Sequence, residues 1–335
     1  MSRKNGIDLF RLIGAFFIIT VHTDYGNLNT YFVDQLRLLA RWAVPFFFMA
    51  TGYFLGNKIE NGTLPFQRIQ NNISMLITIL IVSSIVYVPV NRVLNYRIEN
   101  LLVGTYHHLW FIGSLLSGYL FIWYIYFIKK NRFLPYVSAI ILMLAVFSDS
   151  YDQFLGKNIE FNFYRFLLSI PFMYIGTLIS ISNYSRLSKK ALVGLVIFGI
   201  AIQILETNYF KSAFGYSAFL HQFLIGTIIL SIPLFILSTM IEIKESKLTI
   251  WGRRHSLFIY LYHPIGLLFI SGCINKVFPN YSGVIQMFSP IIGFMLMLSV
   301  AIMLDNFIPA IYRILNGDLQ VRAGSTKSLT RQKEI

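Results

Sequence analysis

Apolar residues in this chain come in blocks of about twenty, the length at which a helix spans a bilayer, separated by short polar and basic stretches. Ten blocks predict ten transmembrane helices, over residues 7–23, 39–56, 70–90, 108–128, 134–148, 163–181, 190–206, 217–241, 251–274 and 284–312. The fifth and seventh are the short ones. The expected fold class is all-α, a polytopic membrane helical bundle. Residues 1–316 read as one membrane domain, and the polar stretch 317–335, with AGSTKSLTRQKEI, as a disordered basic tail. No soluble domain, tandem repeat or low-complexity tract interrupts the pattern.

The first block, IDLFRLIGAFFIITVHT, carries three ionisable groups on one stripe. At about 100° per residue, the eleven steps from Arg11 to His22 return to within roughly 20° of one helical face. Asp8 lies about 60° from Arg11. Charged groups in a membrane-length helix are costly and usually face a protein interior or a water-filled cavity. The stripe therefore proposes a site, with Arg11 deep and His22 about 16 Å further along the axis. A second polar stripe lies in SLFIYLYHP, where Ser256, Tyr260 and His263 fall within about 60° of each other. Pro264 is expected to interrupt the backbone ladder there, which often accompanies a buried polar site. His263 reads either as a site residue or as a structural histidine bonded across helices.

Composition agrees with the block pattern. Of 335 residues, 56% are hydrophobic and only 13% charged, where a soluble domain is about a quarter charged. Basic residues set the orientation. With the N-terminus in the cytoplasm, nineteen of the 28 Lys and Arg fall in inner segments, among them Arg3, Lys4, Lys58, Arg68, Lys129, Arg132, Lys189, Arg253 and Arg313. Eight fall outside: Arg37, Arg41, Arg92, Arg97, Lys157, Arg165, Lys211 and Lys276. Both termini are therefore expected in the cytoplasm. Basic loops facing anionic lipid account for most of the net charge of +14 without a nucleic-acid partner. Arg3 and Lys4 imitate the start of a cleavable signal, yet no small-residue cleavage site follows His22, so the segment is expected to be retained. The single Cys273 has no disulfide or metal-ligand neighbour and reads as a small apolar filler.

On this topology His22, His107, His108, His221, Arg41, Asp149 and Arg165 gather near the outer boundary. Histidine and arginine clusters can orient an anionic or hydroxyl-bearing substrate. Ordinary interfacial placement competes with that reading, more strongly for His107 and His221. Arg41 can instead snorkel, and Trp110 is either an interface anchor or part of a His-Leu-Trp site. Thr51 and Gly52 read as close helix packing, and His255, in the basic inner stretch, as having no special role. A GxSxG elbow, a Gly-rich phosphate loop, HExxH and paired cysteines are all missing from the sequence, and no metal site is expected.

Five segments occur in the order of the acyltransferase 3 family: GIDLFRLIGAFFIITVHT (6–23), RWAVPFFFMATGYF (41–54), HHLWFIGSLL (107–116), FYRFLLSIPFMYIG (163–176) and SLFIYLYHP (256–264). The chain resembles that family from about residue 5 to 315, the first and last motifs being the more specific. Within the family it resembles the membrane half of the vancomycin-resistance serine racemases. Those carry a cytoplasmic racemase domain after the last span, whereas this sequence stops at Ile335, so racemisation is not expected. The resemblance implies transfer of an acyl group, commonly acetyl, from cytoplasmic acyl-CoA to a hydroxyl of a cell-surface polysaccharide or lipid-linked glycan. Acetyl-CoA is then a donor substrate rather than a bound cofactor, and the protein a stand-alone, multi-pass enzyme of a bacterial plasma membrane. His22 matches the family's catalytic histidine, Arg11 the arginine on the same helix and Asp8 the acidic position before it. His22 is the expected general base; Arg11 holds an anionic part of the donor or pairs with Asp8. Arg41, His108, Trp110, Arg165, Tyr260 and His263 are the candidates for substrate binding. Serine uptake, the role proposed for the racemases' membrane half, keeps a small-amino-acid carrier as one alternative; a polysaccharide export partner is another.

Overall fold

The computed structural model describes residues 4–25, 30–90, 104–155, 161–182, 187–215, 222–277 and 286–319. Helices occupy nearly all of it: α1 (Asn5–His22), α2 (Thr30–Leu39), α3 (Ala43–Gly56), α4 (Gln70–Tyr87), α5 (Trp110–Phe127), α6 (Leu134–Ser148), α7 (Phe161–Leu167), α8 (Ser169–Ile181), α9 (Lys189–Phe214), α10 (Ile225–Met240), α11 (Lys247–Val277), α12 (Ser289–Phe307) and α13 (Pro309–Leu315). Among the described residues, nine helical stretches are long and apolar enough to cross a membrane. A tenth apolar helix, α10, has 16 residues. The expected all-α bundle is what the chain forms.

Boundaries moved where local chemistry overrode hydropathy. The fifth and seventh spans are not short: they run as Asn131–Ser148 and Lys189–Phe214. The seventh passes through Glu206 and Thr207, which look like an exit to water, and stops only at Gly215, whose left-handed φ of 73° caps the helix. The short member is instead the eighth, α10. The tenth breaks at Ile308, held out of helical geometry at φ −136°, ψ 59° by the following Pro309. Pro264 does not end α11, which runs through it. His255 belongs to α11 rather than to a loop; it is buried and joined to the Tyr312 hydroxyl at 2.7 Å. Cys273 is exposed on α11 and fills no gap. His221, Arg92, Arg97, Lys157 and the tail beyond residue 319 lie outside the described residues.

Large apolar side chains such as Ile85, Ile197, Phe269 and Met303 stand exposed on the outer faces of several helices, the surface a bilayer would cover. Inside, helices approach through glycine, as expected for Thr51–Gly52. A Cβ built on Gly52 would sit 1.9 Å from the Met173 carbonyl oxygen, and one on Gly176 2.0 Å from that of Met49, so α3 and α8 touch backbone to backbone. Thr177 donates to the Gly52 carbonyl across the same seam at 3.0 Å, while Thr51 returns its hydroxyl to Phe47. A Cβ on Gly252 would meet the Asp8 carbonyl oxygen at 1.9 Å. Asp8 meets Gly252 and, further along both chains, His22 meets His263, so α1 and α11 run parallel. The two polar stripes seen in the sequence therefore line one helix–helix seam.

Candidate active site

The seam has two polar ends. At one end Arg11 lies 3.8 Å from Asp8, and Asp8 is shared with Arg253 at 3.7 Å. Arg253 also reaches Glu245 at 3.4 Å. Arg11 lines a cavity of about 250 Å³ with Thr51, Asn72, Tyr119, Ser256 and Tyr260, among apolar walls. Asn72 donates to the Tyr119 hydroxyl at 2.9 Å, and the buried Ser256 hydroxyl has no hydrogen-bond partner among the described residues.

At the other end lies a larger cavity of about 420 Å³, within the range of small-molecule sites. Its walls include His22, Arg37, Arg41, His107, His108, Trp110, Arg165, Gln222 and Tyr260. Three are arginines; among the described residues no carboxylate joins them in the wall. His22 is exposed, and it opens on this cavity and on a neighbouring one of about 190 Å³ that reaches Pro264, Leu268 and Ser271. Tyr260 lines both the His22 cavity and the Arg11 cavity. It is buried with Phe47 and Phe111 against its ring, at centroid separations of 6.4 and 4.7 Å. Tyr260 is thus the aromatic partition the two cavities share, with Phe47 and Phe111 packed against it from the Arg11 side.

Behind His22 the polar groups interlock. His108 Nε2 donates to the Leu261 carbonyl at 2.9 Å, and the Tyr87 hydroxyl donates to the same oxygen at 2.8 Å. Tyr260 donates to the His108 carbonyl at 2.8 Å. His263 is fully buried, its ring 5.1 Å from that of His22 and 5.4 Å from that of His108. His107 stands beside both His22 and His108, its ring 5.6 Å from the first and 6.0 Å from the second. Among the described residues no group of three His, Cys, Asp or Glu is placed to hold a metal.

Loop residues complete the wall. Asp149 Oδ2 accepts the backbone N–H groups of Gln222, at 2.7 Å, and Phe223. Gln222 in turn holds the Arg165 guanidinium, which lies 5.7 Å above the Trp110 ring. Burial pushes the Asp149 carboxyl up to about 6, against the lowering pull of the two amides, Arg41 and Ser150. Arg37 donates to the Thr23 carbonyl at 2.8 Å, tying α2 to the end of α1.

Of the residues singled out from sequence, the structure gathers His22, Arg41, His108, Trp110, Arg165 and Tyr260 around one cavity. Arg11 and Asp8 are at the opposite end of the seam, Arg11 in its own cavity. His263 is behind His22 and outside the cavity walls. Residues 4–304 match the family described as an acyltransferase domain. The chain belongs to the acyltransferase 3 family. An amino-acid racemase of Enterococcus faecalis is 31% identical over 161 residues, 44% of this chain and 22% of the relative. A serine/alanine racemase of Enterococcus gallinarum is 25% identical over 301 residues, 78% of this chain and 40% of the relative. The chain thus spans less than half the length of these relatives. No solved structure matches it.

Sequence alone gives no site role to Arg37, Gln222 and Tyr87, whereas His107 already stands in the outer histidine and arginine cluster, and the structure puts it in the cavity wall. Arg37 had a signal, one helical turn before Arg41 on the same face. Gln222 had none, since it reaches the cavity only because Asp149 and Glu206 hold its segment.

Proposed function

We propose that this membrane acyltransferase is an O-acetyltransferase, moving an acetyl group from cytoplasmic acetyl-CoA to a hydroxyl of an envelope glycan on the other side of a bacterial plasma membrane. The observation that carries the reading is the pair of cavities on α1, one opened by His22 and one by Arg11, meeting at Tyr260. A donor on the Arg11 side and an acceptor on the His22 side need only the thioester end to pass the partition. The excess of basic residues among the inner segments favours the Arg11 end as cytoplasmic.

In this reading a ring nitrogen of His22 takes the proton of the acceptor hydroxyl as its oxygen attacks the thioester carbonyl. The tetrahedral intermediate expels the coenzyme A thiolate, which recovers the proton from His22, leaving an acetyl ester and free thiol. Arg11, held only loosely by Asp8, serves an anionic part of the donor. Arg41, Arg165, His108 and Trp110 serve the acceptor: guanidinium groups for its oxygens and an indole beside them for a sugar face.

The test is transfer from radiolabelled acetyl-CoA into glycan in membranes carrying the protein. His22→Ala is expected to remove the label, with a loss of about 10²–10⁴-fold typical of general-base deletions, while the protein stays in the membrane. Normal labelling by that variant ends the proposal. The arginine-lined cavity also suits the carboxylate of a small amino acid, and the relatives are named for amino-acid racemisation. Serine uptake into vesicles without any acyl donor would favour this carrier reading instead.

A further inference from the structure

Proline has no N–H, so in α11 the carbonyl four residues before Pro264, that of Tyr260, loses its helical partner. His263 Nδ1 lies 2.7 Å from that oxygen. A carbonyl only accepts, so Nδ1 carries the ring proton and Nε2 presents a lone pair. That Nε2 is buried and has no hydrogen-bond partner among the described residues, a state that costs free energy unless something donates to it. The three rings beside His263 are those of His22, His108 and Tyr260. The N–H of His108 is committed to Leu261 and the hydroxyl of Tyr260 to the His108 carbonyl. His22 is the neighbour left with a ring N–H to give; its centroid is 5.1 Å away with the ring planes 37° apart, so a turn of the His22 ring about its side-chain torsions is what brings an N–H onto that Nε2.

We infer that His263 is a positioning residue for His22: its Nε2 receives the His22 ring N–H and so decides which His22 nitrogen keeps its lone pair toward the cavity. The inference rests on His22 being the general base. A neutral imidazole has one donor and one acceptor nitrogen; with no acceptor behind it, His22 divides between two tautomers, only one of which presents a base to the cavity. When His22 takes the hydroxyl proton and passes it to the thiolate, the N–H toward His263 stays in place, and His263 itself never changes charge. The device begins with the proline, which frees the carbonyl that orients the second histidine.

The experiment is nitrogen-15 NMR of histidine-labelled full-length protein in detergent, with the His22 signals assigned by their loss in His22→Gln. Wild type is expected to show His22 as a single tautomer, and His263→Phe an averaged pair of shifts. His263→Gln, whose side-chain oxygen can accept the same N–H, is expected to restore the single tautomer. In the radiolabel assay His263→Phe should lower kcat on the order of tenfold or more with KM little changed, and His263→Gln should recover part of it. A His22 that is already a mixture in wild type, or one whose shifts ignore His263→Phe, overturns the inference. Should His263→Phe not fold, the wild-type spectrum alone still decides. If wild-type membranes transfer no acetyl group, the acyltransfer reading falls while the NMR result stands on its own.

Discussion

The backbone amides of residues 222, 223, 225 and 226 all end on carboxylates: Asp149 takes the first two and Glu206 the last two, at 2.5–2.9 Å. The first amides of α10 have no partner within the helix, and negative charge at a helix N-terminus is favourable, so Glu206 is stable in what hydropathy reads as a membrane exit. The Tyr151 hydroxyl donates to the same carboxylate at 2.7 Å. Asp149 makes a measurable claim. Its folded-state value of about 6 lies above the ordinary 3.8. Its contribution to stability is therefore fully present below pH 3.8 and lost as pH rises through 6, because the folded state holds the proton more tightly than the unfolded one. The melting temperature of the purified wild type, taken relative to Asp149→Asn, is expected to fall between pH 4 and 6 and to level off above. A difference that stays flat over that range contradicts the assignment.

Helices in this bundle meet where side chains are smallest. Without hydrophobic attraction between helices in lipid, close van der Waals contact and hydrogen bonds hold them together, and Gly52, Gly176 and Gly252 permit that contact. At Gly52 the obstacle is Met173 backbone rather than a flexible side chain, so Gly52→Ala must push α8 away from α3. The expected cost is about 1–3 kcal/mol, read as a lower melting temperature in detergent. Gly194→Ala, with nothing within 4 Å of the new methyl, is expected to be neutral or slightly stabilising. Equal effects of the two would refute the packing account. The same logic at Gly252 sets the α1–α11 contact, which is why Ser256, Tyr260 and His263 come to face Arg11 and His22.

For the whole molecule, the basic-residue bias makes a topological prediction: a reporter fused after Ile335 reads as cytoplasmic, and one inserted in the connection at 278–285 as external. An external C-terminal signal would exchange the donor and acceptor sides. The existence of the ten apolar helices was legible because a bilayer demands a length of apolar chain, and their order along the sequence records it. The stripe on α1 was legible because helical periodicity places Arg11 and His22 on one face whatever surrounds them. The ends of spans seven and eight were not, because Glu206 looks exposed until α10 presents its amides. That Arg11 and His22 belong to separate cavities, that Gln222 reaches one of them, and that His263 stands behind His22 were decided only by tertiary structure. One-dimensional periodicity says which face of a helix a side chain is on. Which neighbour that face meets depends on backbone approach at glycines far apart in the chain, and on carbonyls and amides that every residue carries and no residue letter distinguishes.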